Sequence, residues 1–132
     1  MGRGSSKAAN GRSGAPYGSE FKTLHEFSNI KYVTPTSGTL TAPMFTQTQG
    51  RVYATIDDHN DVKYITYYDK ALNRYKQADI KGRKHIINGK PRLPHVHYGY
   101  YHDEHGTFKP TKKEQRLIEK IVTEWYNFNS KK

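Results

Sequence analysis

Residues 51–80, RVYATIDDHNDVKYITYYDKALNRYKQADI, decide the fold. Val52, Ala54 and Ile56 alternate with Arg51, Tyr53 and Thr55, the period of two of a strand that buries one face. A polar turn follows at 58–61, then a β-branched and aromatic run at 62–68, then a second turn at 69–73. The next segment, 74–80, sets Ala78 and Ile80 on one side and Gln77 and Asp79 on the other. Strands this close together, joined by short polar turns, pair antiparallel, so the stretch predicts a β-meander.

Working outward toward the C-terminus, 81–94 reads as a basic Gly/Pro loop and 95–101 as a fourth strand. Val96, Tyr98 and Tyr100 fall on one side of it, and His95, His97 and Gly99 on the other. Thr111 and Glu114 have the spacing of a capping box, in which hydroxyl and carboxylate satisfy first-turn amides reciprocally. Leu117, Ile118, Ile121, Val122, Trp125 and Phe128 then recur at helical spacing. A C-terminal helix with that stripe covers the apolar sheet face, with Trp125 in the core. Toward the N-terminus, 29–33 reads as a short strand, and the first half of 21–33 as a helical turn. Residues 34–50, rich in Thr and Gln with Pro35, Gly38 and Pro43, read as a loop pinned by Met44 and Phe45. The Gly/Ser/Asn-rich residues 1–19 read as a disordered basic tail. The expectation is an α+β fold: one domain over 20–132, with an antiparallel four- to five-stranded sheet packed on a C-terminal helix.

Leu, Ile, Val and Phe account for only 23 of 132 residues, but 11 Tyr add aromatic area to a core short of aliphatics. Tyr64, Tyr98 and Tyr100 read as core filler, while Tyr53 and Tyr67 stay open as base-stacking candidates. The absence of Cys excludes disulfides, Cys-based zinc sites and thiol nucleophiles. No apolar run reaches the ~20 residues of a membrane span, and no signal peptide follows Met1. P-loop, Gly-x-Gly-x-x-Gly, Gly-x-Ser-x-Gly and His-Glu-x-x-His motifs are missing, which disfavours nucleotide hydrolases, α/β hydrolases and zincins. A net charge of +10 favours a polyanionic partner, nucleic acid, phospholipid headgroups or an acidic inhibitor protein, and a membrane-surface helix is the weaker reading because Gly82, Gly89 and Pro91 interrupt the basic stretch. Positive charge concentrates in 70–92, where Lys70, Arg74, Lys76, Lys81, Arg83, Lys84, Lys90 and Arg92 face only Asp79.

The segment 94–106, PHVHYGYYHDEHG, carries four of the seven His. His95 and His97, two apart on a strand, share a face, and the register adds Arg51, Tyr53, Gln77 and Asp79 to it. Two imidazoles beside a carboxylate, a guanidinium and a basic loop suit acid–base chemistry on a phosphodiester. His95 and His97 then serve as acid and base with Asp79. Arg51, Lys81 or Arg83 stabilise charge, Lys84, Lys90 and Arg92 add phosphate contacts, and Tyr53 orients a phosphate or stacks on a base. No cofactor is needed for that chemistry. His-x-His is also a common metal-ligand pair, which Asp79, His85, His102, Asp103 or His105 would complete. Surface histidines without a role are the third alternative, and a binder without catalysis needs only the Lys and Arg.

The run GRVYATID…VKYITYYDK…RYKQADIKGRKH…LPHVHYGY, with Trp125-Tyr126 in the closing helix, resembles small proteins of Firmicute phages and prophages and toxin tips of polymorphic toxin systems. These look like members of the barnase–EndoU–colicin–RelE nuclease group. The resemblance implies a helix-plus-antiparallel-sheet ribonuclease that works without metal, its site at His95, His97, Asp79 and Arg51. It also implies RNA rather than DNA as substrate, and an acidic immunity protein or phage head proteins as further partners. The location implied is the host cytoplasm or the virion.

Overall fold

The computed structural model describes residues 20–36, 40–44, 46–80, 85–87, 90–92, 94–99 and 106–131, with backbone alone at 85–87, 90–92 and 95. The expected disordered tail at 1–19 and Phe45 lie outside the described residues.

The meander forms as read: β3 (Val52–Ile56), β4 (Val62–Tyr68) and β5 (Arg74–Asp79) pair antiparallel in sequence order. Each turn is built on an aspartate that accepts two backbone amides. Asp57 Oδ1 takes those of His59 (2.9 Å) and Asp61 (3.0 Å), and Asp69 Oδ1 those of Ala71 (2.9 Å) and Asn73 (3.1 Å). The meander sits inside a larger sheet. β1 (Phe21–Phe27) and β2 (Ile30–Pro35) form an antiparallel hairpin on one side. β8 (His95–Tyr98) and β9 (Thr107–Phe108) extend the other, giving the order β1-β2-β3-β4-β5-β8-β9. β6 (His85–Ile87) and β7 (Lys90–Arg92) pair separately.

The fold class is α+β, but the sheet is mixed and has seven strands instead of four or five. The helical turn expected early in 21–33 is strand β1, because pairing with β2 outweighs a weak local preference. The expected loop at 81–94 holds a small hairpin, in which Ile87 pairs with Lys90. The larger departure is that β2 and β3 run parallel, with Ile30 opposite Val52 and Val33 opposite Thr55. Parallel neighbours require the chain to return along the sheet before it re-enters. The described residues of that return, 40–44 and 46–51, form no helix, and they pack on one end of one sheet face.

α1 (Lys112–Ser130) opens with the capping box as read. Thr111 Oγ1 accepts the Glu114 amide at 3.1 Å, and Glu114 Oε1 accepts the Thr111 amide at 2.7 Å. Ile118, Ile121 and Trp125 are buried against Ile30, Tyr32, Val52, Ala54, Ile56, Ile65, Ala78 and Val96. Trp125 Nε1 donates to the Asn60 carbonyl (2.8 Å), and the buried Tyr32 hydroxyl to that of Ile121 (2.7 Å), which locks the helix to the sheet.

Candidate functional site

The sheet face away from α1 carries polar residues in register. Tyr53, Thr66, Gln77, His97 and Thr107 lie in one row across five strands, and Thr55, Tyr64, Asp79 and His95 in the next. Sequence alternation therefore identified the correct face. At its Tyr53–Tyr68 end that face is covered, however: Tyr68 Oη donates to the Pro43 carbonyl (2.6 Å), and Thr46 Oγ1 and Tyr53 Oη are 3.3 Å apart. Phe21, Val33 and Tyr53 form a second apolar cluster there.

Along this face runs a continuous hydrogen-bonded relay. Arg74 Nη1 donates to Gln77 Oε1 (3.1 Å), which also accepts from the Thr66 hydroxyl (3.3 Å). The Gln77 amide nitrogen donates to Asp79 Oδ1 (3.4 Å). Asp79 Oδ2 lies 3.1 Å from His97 Nε2, and His97 Nδ1 lies 2.9 Å from Thr107 Oγ1. The buried amide of Gln77 thus joins a guanidinium to a carboxylate, its acceptor toward the cation and its donors toward the anion. A neutral His97 with its proton on Nε2 donates to Asp79 and accepts the Thr107 hydroxyl. His97 is 2% exposed and Asp79 8%. Arg74 reaches the relay because a bulge at Tyr75 shifts the phase of β5, pairing Lys76 with Tyr67 but Arg74 with Tyr68. Nearby, the Tyr64 hydroxyl is pushed above its ordinary pKa, first by burial and then by the charge of Asp79, against the opposing pull of Arg74.

Three expectations are corrected. The face shared by His97 and Asp79 is buried, where the alternation alone had left it open to solvent. Arg51 is not in the relay. It precedes the Val52–Tyr67–Lys76 row, at the opposite end of β3 from Asp79, and pairs with Glu26 (Nη1 to Oε2, 3.6 Å). Tyr53 is fully buried and meets Tyr68 edge-on at 5.5 Å, so it offers no platform for a base. His95 stands opposite Asp79 in the β5–β8 register, but its side chain lies outside the described residues. So do the side chains of Lys90 and Arg92 on β7 and of His85 on β6. Lys81, Arg83 and Lys84 lie outside the described residues altogether, as do His102, Asp103 and His105. Among the described residues no three His, Asp or Glu side chains gather as metal ligands. Thr107 gave no sequence signal, since a two-residue strand has no periodicity. Arg74 was hidden by the bulge.

Two cations of the basic stretch 70–92 prove to be internal: Arg74 in the relay, and Lys76 on the helix side. Lys76 Nζ lies 3.0 Å from Glu114 Oε2, which also accepts the Tyr98 hydroxyl at 3.1 Å. Burial works against the charged Glu114 carboxylate, but the Thr111 amide and Lys76 outweigh it and hold its pKa below the ordinary glutamate value. His25, for which the sequence offered no context, joins β1 to α1 through Glu124 Oε2 (2.9 Å) and stacks on Phe128 with ring centroids 3.9 Å apart.

Comparison with protein-family models, curated proteins and solved structures finds no match for this chain. Among the described residues, no helix is long and apolar enough to cross a membrane.

Proposed function

We propose that this chain is a metal-independent nuclease acting on RNA, of the kind carried by phages and toxin systems. The observation that carries the reading is the buried relay ending in Asp79–His97–Thr107, held on the face where the register also places His95 opposite Asp79. A buried His–carboxylate pair costs desolvation and adds little net stability over an apolar packing, so its presence is accounted for better by the geometry it holds. In this reading His97 is a positioning residue, because both ring nitrogens are engaged inside the fold. His95 is the group that meets the phosphodiester. As base it takes the proton of the ribose 2′-hydroxyl while that oxygen attacks phosphorus. The bond from phosphorus to the 5′-oxygen breaks, and an acid returns a proton to the leaving oxygen. The cations of 81–92 neutralise charge on the phosphorane. RNA is the substrate, and an acidic immunity protein fits the same basic surface.

A second reading, a non-enzymatic phage accessory protein that binds nucleic acid, is favoured by one observation. His97 is sealed, and its satisfied relay suffices as a polar core. Incubation of total RNA with the wild type, His95→Ala and His97→Asn, with and without EDTA, separates the two. Nuclease action predicts cleavage that survives EDTA and falls about 10²–10⁴-fold in His95→Ala. Tight binding with intact RNA supports the accessory protein, and cleavage lost only in EDTA moves the chemistry to a metal.

A further inference from the structure

α1 carries four cations, Lys112, Lys113, Arg116 and Lys120, and all are exposed. Its three carboxylates are disposed differently. Glu114 is buried against Lys76, Glu124 turns to His25, and only Glu119 remains on the outer face, where Gln115 donates to it at 3.2 Å. Among the described residues, none of the four cations has an ion-pair partner. Lys112 and Lys113, with Lys109 just before them, stand at the positive end of the helix dipole, and the last turn has no basic residue. That arrangement opposes the dipole and does not serve helix stability. The first-turn amides are meanwhile occupied by the capping box, so the feature is a row of side chains, not a helix terminus.

Exposed aromatic rings flank the row at both ends. Phe108, 52% exposed, packs edge-on against Tyr98, whose hydroxyl reaches Glu114 in the first turn of α1. At the other end Phe27, 37% exposed, lies beside Lys120, whose Nζ is 5.8 Å from the ring centroid. Phe27, Arg116 and Lys120 line a shallow groove of about 400 Å³ between β1 and the helix, together with Glu119 and with Glu124, which is held by His25. Cations spaced along a backbone-length row, with π faces at either end, match single-stranded nucleic acid, in which phosphates alternate with bases free to stack.

We infer that the outer face of α1, from Phe108 to Lys120 and on to Phe27, is a track for single-stranded RNA outside the relay. The inference rests on the reading that RNA is the substrate, and it assigns the contact to α1 rather than to the 81–92 segment alone. The test uses the full chain and a fluorescent single-stranded RNA 12-mer, 2′-O-methylated so that no 2′-oxygen can attack. Lys112→Gln/Lys113→Gln/Arg116→Gln is expected to bind the probe at least tenfold more weakly. Its plot of log affinity against log salt should be shallower by about 2, from a slope near 0.7 per single-strand phosphate contact. Phe108→Ala is expected to weaken binding without changing that slope. The triple variant should melt no lower than the wild type, since it removes positive charge from the positive end of the helix. Unchanged affinity and slope would overturn the track, even if the wild type cleaves ordinary RNA. Stripe-dependent binding of polyglutamate in place of RNA would overturn it in favour of an acidic protein. Stripe-dependent binding of the probe with no cleavage of unmodified RNA would sink the nuclease reading and leave the track standing.

Discussion

Thr55 is fully buried, yet its hydroxyl has no hydrogen-bond partner among the described residues, and the hydroxyl of the half-buried Tyr67 is in the same position. An unsatisfied buried polar group costs about 1–3 kcal/mol, whereas replacement by an apolar group of the same shape removes the cost. Thr55→Val and Tyr67→Phe are therefore expected to stabilise the fold by about 1 kcal/mol each, read as a melting temperature higher by roughly 4 °C. The relay behaves oppositely, because its members satisfy one another. His97→Leu leaves the Asp79 carboxylate with Gln77 but without its imidazole, and should cost about 1–3 kcal/mol, with His97→Asn milder because it can still bond Thr107. Equal melting temperatures for His97→Leu and the wild type would show that the relay contributes nothing to the fold.

At the scale of elements, α1 concentrates the stabilising contacts. Trp125 is 2% exposed, stacks on Tyr32 at 5.2 Å and caps the β3–β4 turn through Asn60. Trp125→Ala should cost about 3–5 kcal/mol, enough to unfold a marginal domain, as measured by chemical denaturation. Thr111→Ala removes the hydroxyl of the capping box and should cost about 1 kcal/mol. Glu114 makes the element sensitive to acid. Its pKa is lowered in the fold, so its stabilising contribution is complete above the ordinary glutamate value of 4.5 and is lost as pH falls through the lower folded value. Glu114→Gln should lower stability near neutrality and flatten the acid limb of the stability–pH curve. A wild-type limb no steeper than that of the variant would contradict this.

For the whole molecule, one sheet serves two cores. α1 packs on one face, and the β2–β3 return with Phe21 packs on the other. Both cores hang on the same strands, so neither can be lost alone. The single Trp reports the helix side, and far-UV dichroism reports the sheet and helix backbone together. Their urea transitions should coincide with one midpoint, the mark of two-state unfolding. A Trp transition that precedes the dichroism change would mean that α1 undocks from an intact sheet.

Local pattern determined what depends on neighbours in sequence. Alternation in 51–80 set the meander and its faces, and with the alternation in the next strand it put Asp79 and His97 on one face. Asp57 and Asp69 made the turns, and the Thr111–Glu114 box and apolar stripe made the helix that buries Trp125. These follow from side-chain periodicity and short-range hydrogen bonds, which a stretch of ten or twenty residues contains in full. Only the tertiary structure decided the rest. β1 is a strand because β2 offers it an edge, and β9 is a strand of two residues because β8 does. The return between the parallel strands β2 and β3 set Pro43 and Thr46 against Tyr68 and Tyr53, His97 was buried as well, and Arg51 was left with Glu26 at the far end of β3. No short window encodes which distant edges pair or which face a return segment covers. Both are settled by competition among all strands for partners and among both faces for cover, and that competition turned the expected open face into the sealed relay Arg74–Gln77–Asp79–His97–Thr107.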